Sequence, residues 1–309
     1  MPSPIPGASY GYWDVGDVIK EDVLQIIYQI TPEDTPFFNM IGDSVAKSPL
    51  HHWLRRSLTA RSAANAVQEG TDYNAGSSFL DTVLPSREFN ICQIVRKLPR
   101  VTKSFQASET HGITDLMADQ IEARATEWKY DTESSLLLGT LASGTSSTSS
   151  PRAMDGFHNI PPSNGSAFTS QVSVTETLFN DLLQDIWTRG GRAQDVLCGG
   201  YIKRRISGFT DSATKFFMSD DKKVVNTIGV YESDFHTTQI HLSRDVPAAG
   251  GTHALYAFDR SFFAKAWLRK PTIERLPQLG DDHRAVIIGE LCLEWGDQSA
   301  AGFFTTMSG

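Results

Sequence analysis

Between Thr114 and Leu138 the sequence TDLMADQIEARATEWKYDTESSLLL sets Leu116, Met117, Ile121, Ala125 and Trp128 three and four residues apart, while Asp119, Glu122, Lys129 and Glu133 fall largely off that stripe. This spacing predicts an amphipathic helix. Thr114 is placed to cap its start, Asp115 suits the positive end of the helix dipole, and Gly139 stands before the breaker-rich LASGTSSTSSP,. At about 1.5 Å per residue the helix would run roughly 37 Å, about twice the usual length, and would span its domain as a spine. Its apolar stripe needs a sheet to lie on.

Around it the pattern changes several times. Val18, Ile19, Val23, Ile26, Ile27 and Ile30 make a shorter helical stripe, followed by two cap-plus-proline starts at Thr31-Pro32 and Thr35-Pro36,. The cluster Phe37, Phe38, Met40, Ile41 that comes next is either local core or a docking face for another chain. HHWLRRSLTA and SREFNICQIVRKLP read as strands, with Trp53, Arg55 and Ser57 on one face of the first and Phe89, Ile91 and Gln93 on one face of the second,. The Ala/Ser/Asn/Gly-rich stretch between them has too little apolar surface for a core. The two strands therefore predict a long hairpin reaching away from the body, and long loops without their own structure are usually functional or disordered.

Beyond the spine, the Ser/Thr/Gly/Pro stretch from Leu141 to Pro162, broken by Met154-Asp155-Gly156-Phe157, is the best internal boundary,. Ser173-x-x-Glu176 is a capping-box pattern, and Leu178, Phe179, Leu182, Leu183, Ile186 and Trp187 follow as a helical stripe that ends at Gly190-Gly191,. AQDVLC is then a short strand and YIKRRISGF a short helix. From Val224 the period becomes two: VVNTIGVY and TTQIHLS form a hairpin, and ALYAFD, AWLRKPTIERL and AVIIGELCLEW continue as strands that offer the spine its sheet,. The class is α+β.

Composition bounds the function. The 309 residues, 40% of them hydrophobic, suffice for one large domain or two ordinary ones,. A net charge of −8 without a Lys/Arg block argues against nucleic acid or an anionic membrane as the main partner,. Cys92, Cys198 and Cys292 are odd in number and each lies in an apolar run, so they are expected as reduced core thiols,. The sequence shows neither a signal peptide nor a membrane-spanning run, which points to the cytoplasm,.

Motifs for catalysis are missing: there is no G-x-S-x-G, H-E-x-x-H, C-x-x-C, Walker loop or G-x-G-x-x-G,. Lys203-Arg204-Arg205 behind Gly199-Gly200 lacks the rest of a phosphate loop and reads as a solvated face,. The eight histidines are scattered, with His51/His52 and His236/His241 on opposite faces of their strands,. No metal or other cofactor is expected. One acidic pair, Glu290 and Glu294 with His283 nearby, is the place where a cytoplasmic hydrolase would work, although Arg269, Lys270, Arg275 and Arg284 are at hand as ion-pair partners,.

The order of parts carries a resemblance. TPFFNMI in a proline-punctuated arm, the charged hairpin, the spine, TRGGRAQDVLCGGYIKRRISGF, VYESDFHTTQIHLSRDV and LRKPTIERLPQLGDDHRAVIIGELCLEW together resemble tailed-bacteriophage major capsid proteins over nearly the whole chain. His236 stands where relatives often have Gly after Asp-Phe. The resemblance implies the Hong Kong 97-type capsid fold: an N-terminal arm (residues 1–47), an extended loop (48–104), a peripheral domain with the spine helix (105–162), an axial domain (approximately 163–255), and a return to the sheets (256–309). It further implies self-assembly through hexamers and pentamers into an icosahedral head around double-stranded DNA, in the host cytoplasm. The partners would be copies of itself, with portal, scaffolding and decoration proteins as others and DNA touched only loosely. A tail or adaptor protein fits a spine of this length less well.

On that reading the subunit-contact candidates are Tyr10, Tyr12, Trp13, Phe37 and Phe38 in the arm, and Arg55, Arg56, Arg61, Glu69, Asp72, Arg87 and Glu88 in the loop. Some relatives weld subunits through a loop lysine, yet residues 48–96 hold no lysine, and arginine is no substitute as a nucleophile,. A non-covalent shell is expected. Residues 1–16 are not a helical scaffolding domain, so the scaffold would be a separate protein or none.

Overall fold

A computed structural model of the chain describes residues 35–56, 83–108, 115–144, 150–160, 167–168, 174–209, 229–247, 252–278 and 280–308, with isolated positions at 58, 63, 66, 68–70 and 113. In chain order the elements are α1 (Pro36–Met40), β1 (Gly42–Val45), β2 (Leu50–Arg55), β3 (Ser86–Ile91), β4 (Gln93–Lys97), β5 (Arg100–Thr102), α2 (Lys103–Ala107) and α3 (Leu116–Leu138). Then come β6 (Ala167–Phe168), α4 (Glu176–Thr188), β7 (Asp195–Cys198), α5 (Gly200–Ser207), β8 (Val230–Glu232), β9 (Thr237–Leu242), β10 (Thr252–Phe258), β11 (Phe263–Arg275), β12 (Asp282–Trp295) and β13 (Ala301–Ser308).

The spine α3 starts at Leu116 because Asp115, rather than Thr114, is its N-cap: the carboxylate accepts the N–H of Met117 at 2.9 Å and of Ala118 at 3.2 Å,. Leu116, Trp128, Leu136 and Leu137 are buried, with Ile121 and Ala125 partly so, and this face lies on β4, β5 and β12. Trp128 Nε1 donates to the Val95 carbonyl at 2.9 Å. Its ring takes the space above Gly289, where an added Cβ would stand 2.6 Å from Trp128 Cζ2. Only glycine lets the central strand pass beneath the indole.

The sheet under the spine runs β1-β11-β12-β4, with β5 pairing further along β12. This corrects two expectations. The strands β8, β9 and β10 do not support the spine, and β4 and β5, which the sequence placed in the extended loop of residues 48–104, do. A short strand's period tells which face is buried and not which edge it pairs with. The segment Gly42–Val45, read as arm, is likewise a sheet strand, parallel to β11. The register of β11 to β12 shifts between Trp267 and Arg269 and again between Arg269 and Thr272, and the second shift spans Pro271, which has no N–H to give the ladder,.

The expected hairpin is present at its base: β2 and β3 pair antiparallel from Leu50↔Ile91 to Arg55↔Ser86. It ends at Ile91, not at residue 104, because the chain turns there into β4. A second sheet, β6-β13-β10-β7-β9-β8, buries Phe179, Leu182, Leu183 and Ile186 of α4 and Ile202 and Ile206 of α5. Thr175 caps α4, accepting the Leu178 N–H at 3.3 Å, so the helix begins two residues later than a Ser173 cap implies. Ser173 itself lies outside the described residues, as do Val18–Ile30 and Thr31-Pro32.

The stretch read as an internal boundary carries the hub of the core instead. Phe157 is fully buried, with Phe37 at 5.4 Å, Tyr256 at 5.2 Å, Phe258 at 5.4 Å and Phe263 at 4.9 Å between ring centroids. Gly156 N donates to Gly139 O at 2.9 Å, and a Cβ on Gly156 would come within 2.4 Å of Gly139 N. The glycines here serve a backbone crossing rather than a linker. All three cysteines are free and buried.

Candidate functional site

The acidic pair does not make a catalytic centre. Glu290 is buried and its two oxygens are taken by the Arg152 guanidinium and by Arg269 Nε at 3.0 Å. Glu294 meets His51 Nε2 at 3.3 Å. His283 is on the same strand but seven residues from Glu290, roughly 23 Å away at the rise of an extended chain,. The ion pairs found include Arg269, which the sequence offered as a partner, and Arg152, which it did not. Clefts of about 510 Å³ beside Tyr201, Arg204 and Arg205, about 440 Å³ beside Ile94, Arg96 and Ser135, and about 360 Å³ beside Gln106, Arg275 and His283 contain neither glutamate.

Other acid–histidine contacts lead no further. Asp195 is fully buried, held by His241 Nε2 at 3.0 Å and Arg260 Nε at 3.1 Å. The nearby Cys198 Sγ touches the backbone oxygen of His241 at 3.7 Å, not its ring, and burial pushes the thiol up to about 12. Among the described residues no group of three or more His, Cys, Asp and Glu side chains is arranged to hold a metal, and no helix is long and apolar enough to cross a membrane.

The surface candidates divide sharply. Phe37 is fully buried against Phe157 and Phe258, so it belongs to the chain's own core and offers nothing to a neighbour. Phe38 lies at the rim, edge-on to Trp267 at 6.2 Å with Lys265 Nζ over its ring at 4.3 Å. Arg55 and Glu88 face each other at 3.6 Å within the hairpin, an ion pair that still leaves the Arg55 Nη1 buried without a hydrogen-bond partner among the described residues. Arg56, Glu69 and Arg87 are exposed. Tyr10, Tyr12, Trp13, Arg61 and Asp72 lie outside the described residues.

What the sequence missed is the hairpin's apolar side. His51 and Trp53 turn toward the body, where Trp53 meets Trp295 edge-on at 4.9 Å. The alternate residues turn out: Leu54 is 70% exposed and Phe89 45%, and Leu58 and Leu84 beyond the paired strands are 83% and 77% exposed. Leu54 pairs in register with Arg87 and His52 with Phe89, which sets these side chains on one face,. Alternation within either strand was visible in sequence; the register that joins their apolar positions was not.

Where the chain enters the body, α1 is gripped at both ends. Glu133 of the spine accepts the N–H of Phe37 at 3.0 Å and of Phe38 at 2.6 Å. Lys265 Nζ donates to the carbonyls of Phe38 at 2.6 Å and Ile41 at 3.2 Å and lies 3.3 Å from Asp43. Burial raises the Glu133 carboxyl to about 7, against the two N–H bonds that work to lower it,. The hydrogen bond from Trp267, with Lys265 behind it, holds Asp43 below the ordinary range.

This architecture has counterparts among solved shells. The capsid of Myoviridae phage XM1 superposes with a TM-score of 0.62 at 12% identity, covering 97% of this chain and 99% of that one. The capsid of a native GTA particle gives 0.68 at 10% identity over 97% and 100%. A holo-SrpI encapsulin complex from Synechococcus elongatus PCC 7942 gives 0.61 at 10% over 97% and 96%, so likeness of fold alone does not separate a phage head from an encapsulin. In sequence, the major capsid protein of Escherichia phage Phieco32 is 31% identical over 110 residues, a match that takes in 36% of this chain and 30% of that protein's length. The profile of the SU10 major capsid protein matches residues 9–308. The fold is the Hong Kong 97-type capsid fold, and the chain belongs to the SU10 major capsid protein family.

Proposed function

We propose that this chain is the shell subunit of a tailed-bacteriophage head, many copies joining as hexamers and pentamers into an icosahedral container for double-stranded DNA. The observation that carries the reading is the apolar outer face of the hairpin, with Leu54 70% exposed and Phe89 45% exposed. Leu54 and Phe89, set beside Arg87 and His52 on one exposed face, favour a partner surface there,. A second copy of the chain supplies one at every position of a closed shell.

On this reading the α3 sheet is the peripheral domain, the six-stranded sheet with α4 and α5 is the axial domain, and β2–β3 is the root of the extended loop. Arg56, Glu69 and Arg87 supply contacts of both signs around Leu54 and Phe89. The arm aromatics Tyr10, Tyr12 and Trp13 and the loop residues Arg61 and Asp72 remain contact residues in this proposal. On this reading the role is structural rather than catalytic, in keeping with Glu290 and Asp195 being held by arginines and Glu294 by the His51 ring. A net charge of −8 favours only loose contact with DNA,. Assembly takes place in the host cytoplasm, with portal, scaffolding and decoration proteins as further partners. Electron microscopy of the purified chain tests the reading: closed shells of uniform size support it, and small monodisperse oligomers overturn it.

A further inference from the structure

Two of the three buried thiols meet. Cys92 sits at the bend where hairpin strand β3 becomes sheet strand β4, and Cys292 lies near the end of β12. Their sulfurs are 3.4 Å apart although 200 residues separate them in the chain. The register explains the meeting. β12 pairs with β4 from Ile287↔Lys97 to Leu291↔Gln93, and continuing that ladder by one step sets Cys292 opposite Cys92. The Cys92 N–H is spent on Pro49 O at 2.7 Å, across the hairpin instead of toward Cys292. Directly opposed residues of antiparallel strands have Cα atoms about 4.5–5.5 Å apart, within the roughly 4.4–6.8 Å that a disulfide spans.

The surroundings distinguish the two sulfurs. The thiol–thiol contact lowers Cys92 against the opposing effects of burial and of Glu290, and the same contact together with burial raises Cys292. Cys92, at the hairpin root where local opening first admits solvent, is the attacking sulfur by position, and Cys292, within the central strand, the one that resolves,. The third thiol, Cys198, is in the other sheet, buried among apolar side chains with its sulfur 3.7 Å from the His241 backbone oxygen.

We propose that Cys92 and Cys292 form an oxidisable pair, which a small hydroperoxide closes into a disulfide stapling the root of the hairpin to the central strand of the body sheet. The Cys92 thiolate attacks a peroxide oxygen, the O–O bond breaks, and the departing hydroxide takes a proton to become water, leaving a sulfenic acid on Cys92. The Cys292 sulfur then attacks the Cys92 sulfur; the S–O bond breaks, and the hydroxide released takes the Cys292 proton. For hydrogen peroxide the sum is two thiols and one peroxide giving one disulfide and two waters. Both sulfurs are buried, so closure waits on local opening at the hairpin root and is slow,. The chemistry needs only the single chain. Its biological sense rests on the capsid reading: a shell built in a reducing cytoplasm and released into oxidising surroundings would lock each hairpin root after release.

The test uses full-length protein exposed to hydrogen peroxide, denatured in an alkylating agent without reductant, digested, and weighed by mass spectrometry. A peptide joining Cys92 to Cys292, with Cys198 alkylated, is the expected product. Oxidised protein should melt roughly 5–10 °C higher than reduced protein, a gain that Cys198→Ser keeps and Cys92→Ser loses. If Cys92→Ser folds poorly, the wild-type digest still decides. Cys92 and Cys292 both recovered alkylated, either found as sulfinic acid, or either joined to another chain would each overturn the proposal.

Discussion

Glu133 and Lys265 hold opposite ends of one helical turn. The carboxylate takes the N–H groups of Phe37 and Phe38, and the ammonium takes the carbonyls of Phe38 and Ile41. Each sign complements the end of the helix dipole it meets. Five residues are too few to make a stable helix alone, so α1 depends on this pair and on the burial of Phe37,.

The pair has a pH signature. The Glu133 carboxyl is raised from 4.5 to about 7, so the folded chain keeps a proton that the unfolded chain releases between those values. Its contribution to stability is fullest below the lower value and is lost as pH rises through the upper one. Glu133→Gln fixes the neutral form. Denaturant unfolding should show the variant gaining on wild type by about 1–3 kcal/mol between about pH 5 and about pH 8. A difference that stays constant with pH would refute the assignment.

Gly289→Ala should destabilise the subunit by about 1–3 kcal/mol, because the new methyl meets the Trp128 ring beneath the spine,. Pairing it with Trp128→Phe, which vacates that space, should recover part of the loss relative to Trp128→Phe alone. Strict additivity in urea unfolding would show that the two positions do not collide.

Replacing Leu54 with Asp and Phe89 with Ser should abolish shells in electron micrographs. The melting temperature of the subunit should move by no more than about 2 °C, since both side chains face out,. Intact shells from the double variant would remove the hairpin's outer face from the contact surface.

Without a lysine in residues 48–96, particles boiled in detergent with reductant should run as one band near 34.1 kDa. The Cys92–Cys292 link is within one chain and would not alter this. A ladder of multimers that survives reductant would mean a covalent weld formed by some other residue.

The parts legible in sequence were those with a long local period. The spine showed itself through Leu116, Ile121, Ala125 and Trp128, and α4 through Phe179, Leu182, Leu183 and Ile186, because each stripe is fixed by neighbours three and four residues away. What stayed hidden depended on distant pairing. Val95 looks the same whether β4 lines a hairpin or lies beneath Trp128, and nothing local to Leu54 announces that it will share a face with Phe89. The Met154–Phe157 stretch misled for a different reason: Gly156 has the composition of a linker and the function of a close crossing. Arg152, read as part of that boundary, turned out to neutralise Glu290 from across the fold.

Phe157 touches rings from α1, from β10 of one sheet and from the start of β11 in the other. A force applied to the six-stranded sheet therefore reaches the sheet beneath the spine through packed rings, Phe157 among them and Phe258 directly on Phe263 at 5.6 Å, with no compliant layer between. Internal pressure on such a subunit would be borne by the two sheets as one plate, and the give would come from the hairpin rather than from flexing between the sheets.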